Sequence, residues 1–155
     1  MENSFLADIH PKVVHFPIAL FTTYAFLEII GILLKKEFLS KSALLILCIG
    51  VVTSFFAVLT GNQAAMDFSF WNNESSALFN EHQTYATFLL WFALFVCALR
   101  IVLVLKKKMA GPVKYLFVLF ALVLIFLVYQ TGNFGGDLVI KFGVGTEIII
   151  KNESD

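Results

Sequence analysis

Residues 43–60 read Ala-Leu-Leu-Ile-Leu-Cys-Ile-Gly-Val-Val-Thr-Ser-Phe-Phe-Ala-Val-Leu-Thr, eighteen positions without a single charge. A helix with one face in water carries one apolar stripe, whereas a helix apolar all round must be surrounded by apolar material. Three more runs lack a stripe in the same way: Val13–Leu34, about residues 83–105, and Val113–Thr131. Each is near the ~20 residues that a hydrocarbon layer of ~30 Å demands of a helix. Together they make up about half of the 155 residues, and the composition agrees, at 59% hydrophobic and only 14% charged. A soluble domain is nearer half apolar and a quarter charged. These observations exclude a soluble enzyme, a nucleic-acid binder and a disordered tail. They predict one all-α integral membrane domain over 1–155 with four spans, an outer loop at 61–82 and an outer tail at 132–155.

The charges between the runs are segregated. Lys35, Lys36 and Lys41 lie between spans 1 and 2, and Lys106, Lys107, Lys108 and Lys114 between spans 3 and 4, with Glu37 the one acid among them. The other end has Lys12, Lys141 and Lys151 against nine acids, including Asp8, Asp67, Glu74, Glu81 and Asp137. Short loops rich in Lys and Arg stay in the cytoplasm. The expected placement is a bacterial inner membrane, multi-pass, with both termini outside. The opening residues have no basic segment or small-residue cleavage site, so no cleaved signal peptide is expected. Cys48 and Cys97 fall inside spans, where thiols pack as small hydrophobes, and no structural disulfide is expected. No Cys-x-x-Cys-His occurs, which excludes covalent c-type haem attachment.

Short connections favour an up-down-up-down four-helix bundle. The two halves also read alike. The first runs from His15 through Lys35-Lys36 to Thr60-Gly61-Asn62, and the second from His82 through Lys106–Lys108 to Thr131-Gly132-Asn133. This suggests an internal repeat of two hairpins in which His15 and His82 are mates and each Thr-Gly-Asn closes a helix, Gly taking the left-handed cap position. Asn80 and Gln83 resemble an N-cap pair ahead of span 3. Leu138 to Ile150, β-branched and broken by Gly, suggests a small non-helical hairpin capping the outer end.

All three histidines, His10, His15 and His82, belong to the outer end. Pro11 or Pro17 starts the first helix, since Pro is tolerated at its first position. A neutral imidazole ligates iron, and two of them hold a haem from both sides. His15 and His82 are the candidate axial ligands of a haem b, with His10, Asn62 and Gln63 near its propionates. Against this stands the bland reading, in which interfacial histidines only bond loop carbonyls or headgroups. Asp67, Glu74 and Glu81 with the histidines offer a zinc or copper site, but their spacing is irregular. The Gly pairs near residues 135 and 143 lack the strand and helix of a phosphate loop. Glu28 and Arg100 are charges inside apolar runs at matching depths from the Lys clusters, and such charges cost a few kcal/mol unless paired. They are expected to face each other as a structural ion pair.

The stretches His10-Pro-Lys-Val-Val-His15-Phe-Pro-Ile-Ala-Leu20, Thr60-Gly-Asn-Gln-Ala-Ala65, Glu81-His82 and Thr131-Gly-Asn-Phe-Gly-Gly136-Asp-Leu-Val-Ile-Lys-Phe-Gly-Val-Gly145 resemble the bacterial membrane family of unknown function numbered 2231. The resemblance runs from His10 to about Gly145. It implies a four-helix membrane domain, joined in some other proteins to c-type cytochrome modules, and so points to respiratory redox work. Its motif residues fall on His10, His15, His82, Gly132, Gly135 and Gly136. The family pattern has His or Tyr where this chain has Phe142, so that position supplies no ligand here. Two function classes follow. One is a b-type haem electron-transfer subunit between quinone and an outer-face acceptor such as a c-type cytochrome. The other is a non-catalytic scaffold subunit, or an outer-face binder of a metal or small ligand. Neither is an enzyme on its own, and a single buried ion pair makes a poor transporter.

Overall fold

The computed structural model describes residues 5–145. Among them the chain forms five helices: α1 (Phe5–Val13), α2 (His15–Leu33), α3 (Glu37–Asp67), α4 (Asn73–Leu105) and α5 (Val113–Phe142). α1 runs into α2 through Val14, whose backbone is itself helical, so Phe5–Leu33 acts as one 29-residue span. Pro11 lies inside α1, and Pro17 is the third residue of α2. Four helices are therefore long and apolar enough to cross a membrane. At ~1.5 Å per residue the 31 residues of α3 exceed a ~30 Å hydrocarbon layer. The helices thus project past it, and the projections carry the histidines.

That extra length revises several boundaries. Neither Thr-Gly-Asn ends a helix, because α3 continues to Asp67 and α5 to Phe142. The expected outer loop at 61–82 shrinks to residues 68–72. The N-cap is Asn72 rather than Asn80: its side chain accepts from the Ser75 amide at 2.8 Å, and Ser75 Oγ accepts from the Asn72 amide at 2.9 Å. The hairpin expected from Leu138 is instead the last turn of α5 as far as Phe142. Gly143, at φ 66°, closes it, with the Val144 amide donating to the Leu138 carbonyl. Residues 146–150 of that expected hairpin lie outside the described residues, and no strand occurs among the described ones.

Helices α2, α3, α4 and α5 form a ring in which each packs on its chain neighbour and α5 returns to α2. α2 and α4 lie across the diagonal, as do α3 and α5, and α1 rests on α3. The centre is filled by Phe21, Tyr24, Leu47, Val96, Phe117 and Leu124, interleaved with Ala25, Ala93 and Ala121. Phe21 lies against Gly50, where an added Cβ would come within 2.8 Å of the ring. Large apolar residues such as Phe26, Trp91, Leu119 and Phe126 face outward. In lipid that costs nothing, and close packing of small residues holds the helices together instead.

The buried positions of α2 and α4 coincide in register. Pro17, Phe21, Tyr24, Ala25 and Glu28 are each followed 72 positions later by a buried residue, namely Leu89, Ala93, Val96, Cys97 and Arg100. Ala43, Leu47, Gly50 and Ser54 on α3 correspond in spacing to Phe117, Ala121, Leu124 and Val128 on α5. The ends that carry the Lys clusters match too. Lys35 and Lys107 both take φ 54° just past a helix, and Lys36 and Lys108 both donate back to a carbonyl five residues earlier.

Candidate functional site

α1 brings His10 against α3. Its Nδ1 lies 2.9 Å from Thr60 Oγ1, a hydroxyl already donating to the Phe56 and Ala57 carbonyls. With that proton committed, Thr60 accepts and His10 Nδ1 donates. His82 on α4 does the same toward α5, Nδ1 donating to the Thr131 carbonyl at 3.0 Å. A neutral imidazole that donates from Nδ1 keeps a lone pair on Nε2. Each ring packs against a glycine, its Cε1 nearest. A Cβ at Gly61 would come within 2.9 Å of the His10 ring, and one at Gly135 within 3.0 Å of the His82 ring.

His10, 72 positions before His82, makes the matching contact from Nδ1 to an oxygen on the neighbouring helix, whereas the Thr-Gly-Asn alignment pairs His82 with His15. His15 is exposed, and its Nδ1 donates to the Pro11 carbonyl at the end of α1, 2.6 Å away. A few residues of α-helix rotate a side chain to another face, and that is what separates His10 from His15. Asn62 is exposed, and Gln63 donates to Asp67 at 3.2 Å along α3; among the described residues no hydrogen bond joins either to a histidine. The zinc or copper grouping with Asp67, Glu74 and Glu81 does not assemble. Among the described residues no three His, Cys, Asp or Glu are placed to hold a metal ion.

Glu28 and Arg100 meet in the core, Arg100 Nη1 donating to Glu28 Oε1. Arg100 Nη2 reaches Ser40 Oγ at 2.7 Å, and its guanidinium stacks 4.8 Å from the centre of the Phe117 ring. All four long helices thus contribute to one buried cluster. Ser40 and Phe117 escaped the sequence reading because nothing in their own neighbourhoods marks either as a partner for Arg100. Cys48 and Cys97, expected only as separate packing residues, come together with Sγ atoms 3.5 Å apart.

At the same end as the histidines Trp71 donates Nε1–H to the Ala65 carbonyl at 3.2 Å and packs against Phe68 and Phe79. Such aromatic groups favour the level of the lipid headgroups. Two shallow cavities open nearby, of about 240 Å³ beside Trp71 and about 290 Å³ between Glu81 and Lys141, and no histidine lines either.

The family described as predicted membrane protein (DUF2231) matches residues 7–148 of the sequence. No curated protein and no solved structure matches.

Proposed function

We propose that this chain, which belongs to the DUF2231 family of predicted membrane proteins, is a membrane electron-transfer subunit in which His10 and His82 hold a b-type haem. The observation that carries this reading is the matched state of the two imidazoles. Each commits Nδ1–H to an oxygen on the neighbouring helix and so leaves Nε2 free. Metal-ligating histidines almost always donate their other ring N–H in this way, which fixes the tautomer and ring orientation. The residues present fit the group in donor chemistry. When bound, the haem would supply one-electron exchange. The chain's own part is to orient two neutral rings, through Thr60 and Thr131, over Gly61 and Gly135.

In this reading the bundle runs up-down-up-down, its halves are related by a pseudo-twofold axis along the membrane normal, and both termini lie outside a bacterial inner membrane. The electron partners are a quinone in the bilayer and a c-type cytochrome at the outer face. A second reading, a structural scaffold, is favoured by the core of Phe21, Tyr24 and Phe117 and by the fit of the two rings on their glycines.

A reduced-minus-oxidised visible spectrum of the protein in mild detergent, expressed with ample haem supply, separates the two. The expected result is a sharp b-type band lost in His10→Ala and His82→Ala but kept in His15→Ala. A flat spectrum overturns the haem reading and leaves the scaffold.

A further inference from the structure

We propose that Cys48 and Cys97 form a dithiol redox site inside the bilayer, oxidised to a disulfide by a lipid-soluble quinone. The two sulfurs belong to different helices, α3 and α4, and stand 3.5 Å apart with both cysteines free. A disulfide bond is ~2.05 Å long, so the sulfurs need close by only about 1.5 Å.

Position selects the oxidant. Cys48 lies seven residues from Lys41 and Cys97 nine from Lys106. At ~1.5 Å per residue that sets the pair about 10–14 Å below the basic end, within the hydrocarbon. Charged and protein-sized oxidants stay out of that layer, whereas a quinone headgroup on a lipid tail enters it. Access is on the Cys48 side. Cys48 is half-buried at the margin of an outward-facing strip made by Leu45, Ile49 and Val52, while Cys97 is buried behind it.

The step balances without any other reactant. Two S–H bonds break and one S–S bond forms. The quinone takes both electrons, its two carbonyl oxygens take the two protons, and it leaves as the quinol. The product ties α3 to α4, which the chain otherwise joins only through residues 68–72. The site is separate from the histidines and stands whether or not these bind haem.

The test uses the whole chain, reduced and freed of reductant in lipid vesicles without oxygen. A fully ring-substituted benzoquinone is added, to which thiols cannot add. Thiols remaining after denaturation are counted by a maleimide carrying a polyethylene glycol tail, and quinol is read by its absorbance. The expected result is a fall from two reactive thiols per chain to none, with one quinol formed per chain and both thiols restored by dithiothreitol. Cys48→Ser and Cys97→Ser should each form no quinol and keep their remaining thiol. Two thiols still reactive after quinone treatment overturn the proposal. So does a disulfide that forms with diamide but not with the quinone.

Discussion

The rings of His10 and His82 owe their places to the missing side chains at Gly61 and Gly135. Both glycines lie inside helices, where Gly costs roughly 1 kcal/mol relative to Ala. Here the cost is offset by letting an imidazole lie against the backbone. Gly132 and Gly136 share the same stretch of α5, yet a Cβ on either would meet nothing within 4 Å. The four positions should therefore respond in opposite directions. Gly61→Ala and Gly135→Ala should lower stability by about 1–3 kcal/mol, the usual cost of overpacking. Gly132→Ala and Gly136→Ala should raise it by about 0.5–1 kcal/mol through helix propensity alone. Unfolding midpoints in mild detergent measure all four, and uniform behaviour would contradict the packing described. The sequence singles out these glycines as a motif but gives the four no ranking. What divides them is a ring from a distant helix, and local spacing carries no information about that.

At the scale of elements, α2 and α4 present the same buried register, and their one pair of opposed charges stands at equivalent positions. Removing one partner of a buried ion pair strands the other in a low-dielectric interior, a loss of roughly 3–5 kcal/mol. Glu28→Arg and Arg100→Glu should each be at least that damaging. If the two helices are interchangeable, the double variant should recover more than half of either loss. Recovery should stop short of complete, because Ser40 and Phe117 serve a guanidinium on α4 and not one on α2. Thermal unfolding of the three variants reads this, and absence of rescue would deny the equivalence. The match in depth between Glu28 and Arg100 was legible from the counts back to the Lys clusters. The helix ends at Thr-Gly-Asn were misread, because a cap signal is only a local preference. At both sites a histidine packs on the helix just beyond, or within, that triplet, and this contact makes continuation favourable.

For the whole molecule, the strong prediction is orientation. Lys35, Lys36, Lys106, Lys107 and Lys108 gather at one end, while the histidines and most acids gather at the other. Positive residues in short loops resist translocation. A reporter enzyme active only outside the cytoplasm, fused after the last residue, should be active. Moved into the Lys106–Lys108 connection, it should be silent, and the reverse pattern would refute the assigned sidedness. Composition and unbroken apolar runs by themselves determined that this chain has four helices long enough to cross a membrane, because the bilayer's thickness and its lack of hydrogen-bonding partners leave a chain few alternatives. They also marked His10, His15, His82, Glu28 and Arg100 as the polar groups that need an explanation. Only the tertiary structure decided which of them meet. It set His10 on Thr60 and His82 on Thr131, drew Ser40 and Phe117 around Arg100, and brought Cys48 to Cys97. Those pairings depend on the rotation of each helix about its axis, and that rotation is set by interlocking side chains from several helices at once rather than by any one stretch of sequence.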